Sequence, residues 1–267
     1  MHFSRFLSLR IAVALIAALL AASIPLPVEA QSSPGSSNPG ILPAKETLDY
    51  DIEWRLGTAG HAKLEWYATT PRIHMGYESK LHLESAGLVS RLYKVSDLYT
   101  VEMTPTLCAE STVMTSHEGS RNRETRVNYN SAARKANYVE RDLTKNTIFS
   151  QKEIQIPGCV YDVLGGLFAL RAIRLEPGHA TEFHMSDGKK SVAAKVEAEK
   201  REEIKTDAGT FKTVRYQAYL FNDVLFRRSA HLYIWLSDDN RKMPVQIQIR
   251  LAIAIGTITF KLAKEEK

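Results

Sequence analysis

The sequence predicts a mainly β protein: a single antiparallel sheet that curls, either open or closed like a barrel, with one substantial helix packed against it. Three observations carry this. Apolar residues recur at every second position through most of the chain, as in Leu48, Tyr50, Ile52, Trp54 and Leu56 against Asp49, Asp51, Glu53 and Arg55. The alternating runs are short and closely spaced, which favours an antiparallel sheet that bends back on itself. Only Tyr161 to Gly178 replaces this period with helical spacing.

The first thirty residues stand outside that pattern. Arg5 and Arg10 precede an apolar run from Ile11 to Ile24, interrupted only by Ser23, and Val28-Glu29-Ala30 offers small residues where a signal peptidase reads. The run is shorter than the roughly 20 residues a bilayer needs, and Pro25 and Pro27 break it. We read residues 1–30 as a signal peptide cleaved near Ala30, giving a periplasmic or secreted protein with no stable transmembrane span after processing. No cysteine follows the cleavage site, so a lipoprotein is not indicated. Residues 31–44, rich in Ser, Pro, Gly and Asn, form a flexible leader, and residues 45–267 the β-rich domain.

After Gly57 and Gly60, Ala62, Leu64, Trp66 and Ala68 give a second strand, and Ile73, Met75, Tyr77, Leu81 and Leu83 a third. Further strands are expected at Asp97 to Met103, Glu110 to Ser116, Thr125 to Tyr129, Ala136 to Arg141, Thr181 to Met185, Ser191 to Glu199, Thr210 to Phe221 and Ala230 to Leu236. Trp54 and Trp66 are expected in one core with Leu232, Ile234, Val245 and Ile247. Around the polar knot Ser237 to Lys242, pairing Leu236 with Met243 sets Ile234 by Val245 and Leu232 by Ile247 on one apolar face. The opposite face then places Trp235 by Pro244 and Tyr233 by Gln246. That aromatic and amide face reads either as a ligand site built on Tyr233 and Trp235 or as plain outer surface.

In the helical stretch, Asp162 is the expected N-cap, Pro177-Gly178 the expected stop, and Val163, Leu164, Leu167 and Leu170 the apolar stripe. Gly165 and Gly166 cost about 1 kcal/mol each relative to Ala in a helix, which close packing would justify. Arg171 and Arg174 lie on neighbouring parts of one helical face. Two readings stay open: Arg171 points inward, to Asp97 as partner or to an anionic ligand group, or both arginines reach water. Cys108 and Cys159, the only cysteines, are expected to pair in an oxidising compartment, closing a loop that stabilises the fold by about 3 to 5 kcal/mol.

The formal charge is +5, and +4 without the signal peptide, which carries Arg5, Arg10 and Glu29. The surplus concentrates between Arg121 and Lys145, where seven cations face Glu124, Glu140 and Asp142. This reads as a patch for anionic lipid head groups or wall polymer, or as a solvated hairpin. Catalytic signatures are absent: there is no G-x-S-x-G, P-loop, G-x-G-x-x-G, H-E-x-x-H or C-x-x-C. His74 and His82 lie eight residues apart on one strand, roughly 26 Å, too far to share a metal. No catalytic residues, metal site, cofactor or nucleic-acid partner are expected.

Taken in order, "LDYDIEWRLGTAGHAKL", "LYKVSDLY", "YDVLGGLFALR", "TDAGTFKTVRYQ" and "IWLSDDNRKMPVQIQIRLAIAIGTI" resemble the exported bacterial family catalogued as domain of unknown function 3108, over about Lys45 to Leu262. The chain departs from that pattern at Gly165-Gly166, where small but non-glycine residues are more usual. The resemblance implies a β-rich envelope protein with no established activity and no catalytic residues to transfer. Two readings lead: a non-catalytic envelope protein that binds a lipid or other apolar ligand in its curved sheet, or a structural or adaptor module that meets an envelope protein through a sheet edge or the basic hairpin. A cavity beside the helix favours the first and a filled core the second. An enzyme is the least supported reading.

Overall fold

Alternation becomes a strand wherever one face is buried, and the computed structural model, which describes residues 42–55, 57–69, 75–251 and 256–266, contains fourteen strands in one sheet. The signal peptide, most of the leader, and Leu56, Ile73 and His74 lie outside the described residues. Before the main helix the chain lays down β1 (Lys45–Trp54), β2 (Gly57–Thr69), β3 (Gly76–Ser85), the short helix α1 (Gly87–Leu92), β4 (Val95–Met103), β5 (Ala109–Glu118), β6 (Arg121–Asn130), β7 (Lys135–Asp142) and β8 (Thr147–Gln155). After α2 (Val163–Ala172) come β9 (Ala180–Ser186), β10 (Ser191–Thr206), β11 (Gly209–Ala218), β12 (Ala230–Ser237), β13 (Pro244–Leu251) and β14 (Thr257–Glu266).

The topology is two antiparallel meanders side by side. β1 to β8 pair in chain order, β9 to β14 do the same, and β14 returns to pair with β1, leaving β8 and β9 as the two edges. Those edges do not pair, so the sheet is curled but not closed. Instead the β9–β10 turn rests on the inner face of β6 and β7. Tyr129 donates its hydroxyl to the Ser186 carbonyl at 3.2 Å. Gly188, at φ +80°, lies so near Val127 that a Cβ there would come within 2.7 Å of it. Register shifts in β1, β5, β8, β10 and β13 pairings supply the extra twist that such a curl needs.

Inward residues of both meanders form the main core, and a second, smaller cluster around Val127, Tyr129, Tyr138 and Ile156 sits under β6 and β7. Leu48, Tyr50, Leu64, Trp66, Val101, Met103, Leu232, Ile234, Val245 and Leu262 are buried in the main core, each worth about 1.5–3 kcal/mol of transfer free energy for the larger side chains. Trp54 and Ile247, expected in that core, are half-buried at its margin. Trp66 stacks between Tyr77 at 4.5 Å and Phe168 at 3.9 Å, and its indole N–H donates to the Pro43 carbonyl. The last residues assigned to the leader are thereby held against β2, where Ala68 N also donates to Ala44 O.

The sequence-derived register of the β12–β13 hairpin needs correction. Leu236 pairs with Pro244 across a register shift, so Ile234 meets Ile247, Tyr233 meets Gln248 and Trp235 meets Gln246, two residues along from the expected partners. Met243 is taken up in the turn, its N–H donating to Ser237 Oγ and its carbonyl accepting from Ser237 N. A shift of two preserves which face each side chain takes, so the apolar face is as predicted. Cys108 and Cys159 are bonded, as the sequence predicts, tying the start of β5 to the segment that enters α2.

Candidate functional site

The concave face is assembled from alternate residues, and α2 forms its floor. Asp162 caps the helix as predicted, accepting from Leu164 N and Gly165 N at 3.0 and 2.8 Å, and its third contact is the Tyr99 hydroxyl of β4 at 2.9 Å. Burial raises the Asp162 carboxyl above its ordinary range even though all three contacts oppose the shift. Packing is the reason for the two glycines. A Cβ on Gly165 would come within 2.7 Å of Asp162 Oδ1, and one on Gly166 within 2.8 Å of the Met185 methyl. The helix ends at Ala172, earlier than the expected stop at Pro177-Gly178, with Ile173 extended as its C-cap.

Above α2 the sheet curls round a partly open cavity of about 190 Å³. Val163, Leu164, Leu167 and Leu170 line it from below, Tyr50, Leu64, Leu81, Tyr99 and Phe260 from one meander, and Phe183, Val196, Leu232, Ile234 and Ile249 from the other. The β11–β12 connection covers part of it with Leu220, Phe221 and Phe226, folded inward by backbone hydrogen bonds from Leu225 and Phe226 to Leu220 O. The wall offers almost nothing polar. Tyr50 spends its hydroxyl on the Pro244 carbonyl at 2.7 Å and Tyr99 spends its own on Asp162, and burial holds both phenols well above their ordinary pKa. An engineered apolar cavity of about 150 Å³ stays dry and takes benzene, and this one has room for an alkyl segment of roughly six to eight carbons.

Arg171 is inward, but its predicted partner is wrong. The side chain is 0 % exposed and forks onto Glu46, Nη1 to Oε2 at 2.6 Å and Nη2 to Oε1 at 3.0 Å, with Arg241 O at 3.3 Å. The pair with Asp97 does not form, because α2 brings Arg171 to the start of β1 while Asp97 sits near the start of β4. Arg174 reaches water and pairs with Glu176. Glu46 was legible: it falls in the same parity as Leu48, Tyr50 and Ile52, so alternation alone aims a carboxylate inward.

Asp97 belongs to the next layer of the same face. Moving two residues along each strand from the cavity, Tyr50 gives way to Ile52, Leu81 to Leu83, Tyr99 to Asp97 and Phe260 to Ile258, and these second residues line a smaller space of about 60 Å³ under Val89 of α1. Among the described residues its lining holds the carboxylates of Asp97 and Glu118 and no lysine or arginine; Glu84 borders it too, but its side chain is 58 % exposed and pairs with His82. Asp97 is 1 % exposed. Its Oδ1 accepts from His117 N at 2.9 Å, and its Oδ2 is buried without a hydrogen-bond partner. Burial, aided by the Glu118 charge diagonally across the β4–β5 pair, raises its carboxyl to about 7.

Comparison with known proteins places this architecture. The family model for "Protein of unknown function (DUF3108)" matches residues 49–263. The chain belongs to that family. Among solved structures, the DUF3108 chain is similar to a β-barrel-like protein of domain of unknown function DUF1849 from Brucella abortus, with TM-score 0.53 and 9 % identity over 85 % of this chain and 98 % of that one. It is more distantly similar to a protein of YmcC-like fold from Bacteroides fragilis, with TM-score 0.35 and 9 % identity over 86 % and 98 %. The first likeness shows the fold alone, and the second is too distant to add to it. No curated protein matches the chain.

The remaining sequence candidates fall elsewhere on the DUF3108 domain. Tyr233 and Trp235 take the outer face of β12, away from the cavity. Trp235 is buried there, donating to Glu202 at 2.8 Å, and Tyr233 lies between the Arg215 and Arg250 guanidiniums at 5.3 and 5.4 Å. The basic hairpin is divided by strand alternation: Arg126 pairs outward with Glu124, while Arg121, Arg123 and Lys189 gather inward around Glu140, which also accepts from Tyr138. Among the described residues no group of three or more His, Cys, Asp or Glu side chains is arranged to hold a metal, and no helix is long and apolar enough to cross a membrane.

Proposed function

We propose that this protein is a non-catalytic component of the cell envelope that holds an apolar ligand, a lipid chain or a molecule of similar character, in the curl of its sheet. The observation that carries the reading is the cavity above α2: about 190 Å³ walled by aliphatic and aromatic side chains, with both of its phenol hydroxyls already bonded to protein. A close-packed interior leaves few voids larger than a water, so unfilled apolar space of this size calls for an occupant. The export signal read in Met1 to Ala30 supports an envelope location. The site has no nucleophile–base pair and no metal cluster among its described residues on which to build catalysis.

The test is mass spectrometry of organic extracts from protein purified out of the envelope fraction. The wild type should release apolar molecules near one per chain, and Ala218→Phe, which puts a ring into the cavity, should release several-fold less while keeping its circular dichroism spectrum. Equal release from both, or none from either, contradicts the reading.

The adaptor reading rests on a separate observation. β8 is a sheet edge whose residues are almost all exposed, Ile148 and Phe149 among them. Such an edge can take an added strand. Replacing Ile148 and Phe149 by Lys separates the two readings, since ligand release should be unchanged and any assembly made through the edge should be lost.

A further inference from the structure

Resting on the proposed ligand-binding role, the geometry points to the class of ligand: we propose that the curl takes an amphiphile whose tail fills the cavity and whose polar end, a hydrogen-bond donor such as a hydroxyl, amide or ammonium, meets Asp97 Oδ2. Among the charged side chains on the concave face, Arg171 is committed to Glu46 in a two-point pair and cannot serve as an anchor for an anionic head. Asp97 is committed through Oδ1 only.

Burying an acceptor oxygen without a partner costs about 1–3 kcal/mol, and more when the group is charged. A fold that merely tolerated Asp97 would turn the free oxygen to water or bond it. Here it is held in a second inner space that sets Asp97 beside Glu118 with no lysine or arginine among the described lining residues, so Oδ2 is left short of a donor. An anionic or acceptor-only head would meet Asp97 and Glu118 with repulsion. A donor head would satisfy the orphan oxygen and, if cationic, would also neutralise the local charge.

Position agrees with this chemistry. Tyr99 lines the large cavity and Asp97 the small one, two residues apart on β4, a rise of about 7 Å. Leu81 and Leu83 on β3, and Phe260 and Ile258 on β14, step the same way. An alkyl segment above α2 that ran along the strand direction would bring its head to Asp97. Burial of Asp97 beside Glu118 also raises its carboxyl to about 7, so the free protein can carry the site protonated and lose that proton to water when a donor head binds.

The experiment is isothermal titration calorimetry of the purified protein at pH 8 with three probes of one chain length, octylamine, 1-octanol and octanoate. Octylamine and 1-octanol should bind at least tenfold more tightly than octanoate. Asp97→Asn should cut octylamine affinity at least tenfold and close most of the gap to octanoate, while Ala218→Phe should weaken all three. Equal binding of the three probes by wild type, or an unchanged ranking in Asp97→Asn, would overturn the assignment of Asp97 while leaving the apolar cavity as the site. If none of the three binds, the ligand-carrying role itself falls, and the assignment with it.

Discussion

Among the buried charged residues that face the interior of the curl, Arg171 on the floor helix and Asp97 one layer above the cavity are treated in opposite ways. Arg171 meets a carboxylate in two-point geometry and a backbone carbonyl, so its charge is answered within the fold although its Nε has no partner. Asp97 meets one backbone N–H and the repulsion of Glu118. The difference teaches how to tell a structural charge from one kept for a ligand. The first is matched in sign and geometry by the chain itself, and the second is left with a defined deficit that states the chemistry of what is missing.

The largest expected effect breaks the satisfied member. Glu46→Ala leaves an uncompensated guanidinium in the core and should cost about 3–5 kcal/mol in urea unfolding. Replacing both partners with apolar residues, Glu46→Leu with Arg171→Met, should recover most of that loss, since the pair repays its own desolvation and little more. If the single variant loses under 1 kcal/mol, Arg171 is not buried in the way described.

The next effect is smaller and opposite in sign. Asp97 has a carboxyl pKa of about 7 in the folded protein against an ordinary value of 3.8, so folding favours its protonated form. That contribution is complete below about pH 4 and is lost as pH rises toward and through 7, amounting to roughly 2–4 kcal/mol. Asp97→Asn should therefore be more stable than wild type at pH 8 and nearly equal to it at pH 4, read as melting temperature against pH. Burial raises Asp162 and Asp187 in the same direction, so the difference between the two proteins, rather than the wild-type slope, isolates Asp97. Glu118→Gln should shift stability by less, about 1 kcal/mol or under, while lowering the Asp97 pKa in a carboxyl-detected NMR titration. An unmoved pKa would remove Glu118 from the account.

The sheet was legible because one of its faces is buried. Strands β1 to β7 and β9 to β13 show period two, and Asp162 was readable as a cap because an Asp before an apolar helical stripe accepts from the first-turn N–H groups. β8 was not seen because nearly every residue in Thr147–Gln155 is exposed, so burial imposes no alternation. β14 was hidden by the continuous apolar run from Leu251 to Ile255 that leads into it, and α1 has neither a side-chain cap nor a buried residue to mark it. The site was half legible. Strand parity aims Glu46 and Asp97 inward, yet which of them Arg171 meets depends on where α2 crosses the curl, and local spacing carries no record of that. The β12–β13 register slipped by two for a similar reason, since Ser237 captures Met243 in the turn through side-chain and backbone bonds.

The central question is whether the space above α2 takes an apolar ligand. A methyl-detected NMR titration with 1-octanol reads this directly, because the two populations of leucine and isoleucine are well separated: Leu167, Leu170, Ile234 and Ile249 line the cavity, whereas Leu88 and Leu92 on α1 are 69 % and 60 % exposed. Saturable shifts confined to the cavity methyls, abolished by Ala218→Phe, are the result predicted. Shifts at Leu88 and Leu92 alone, or cavity methyls that never move, would contradict it.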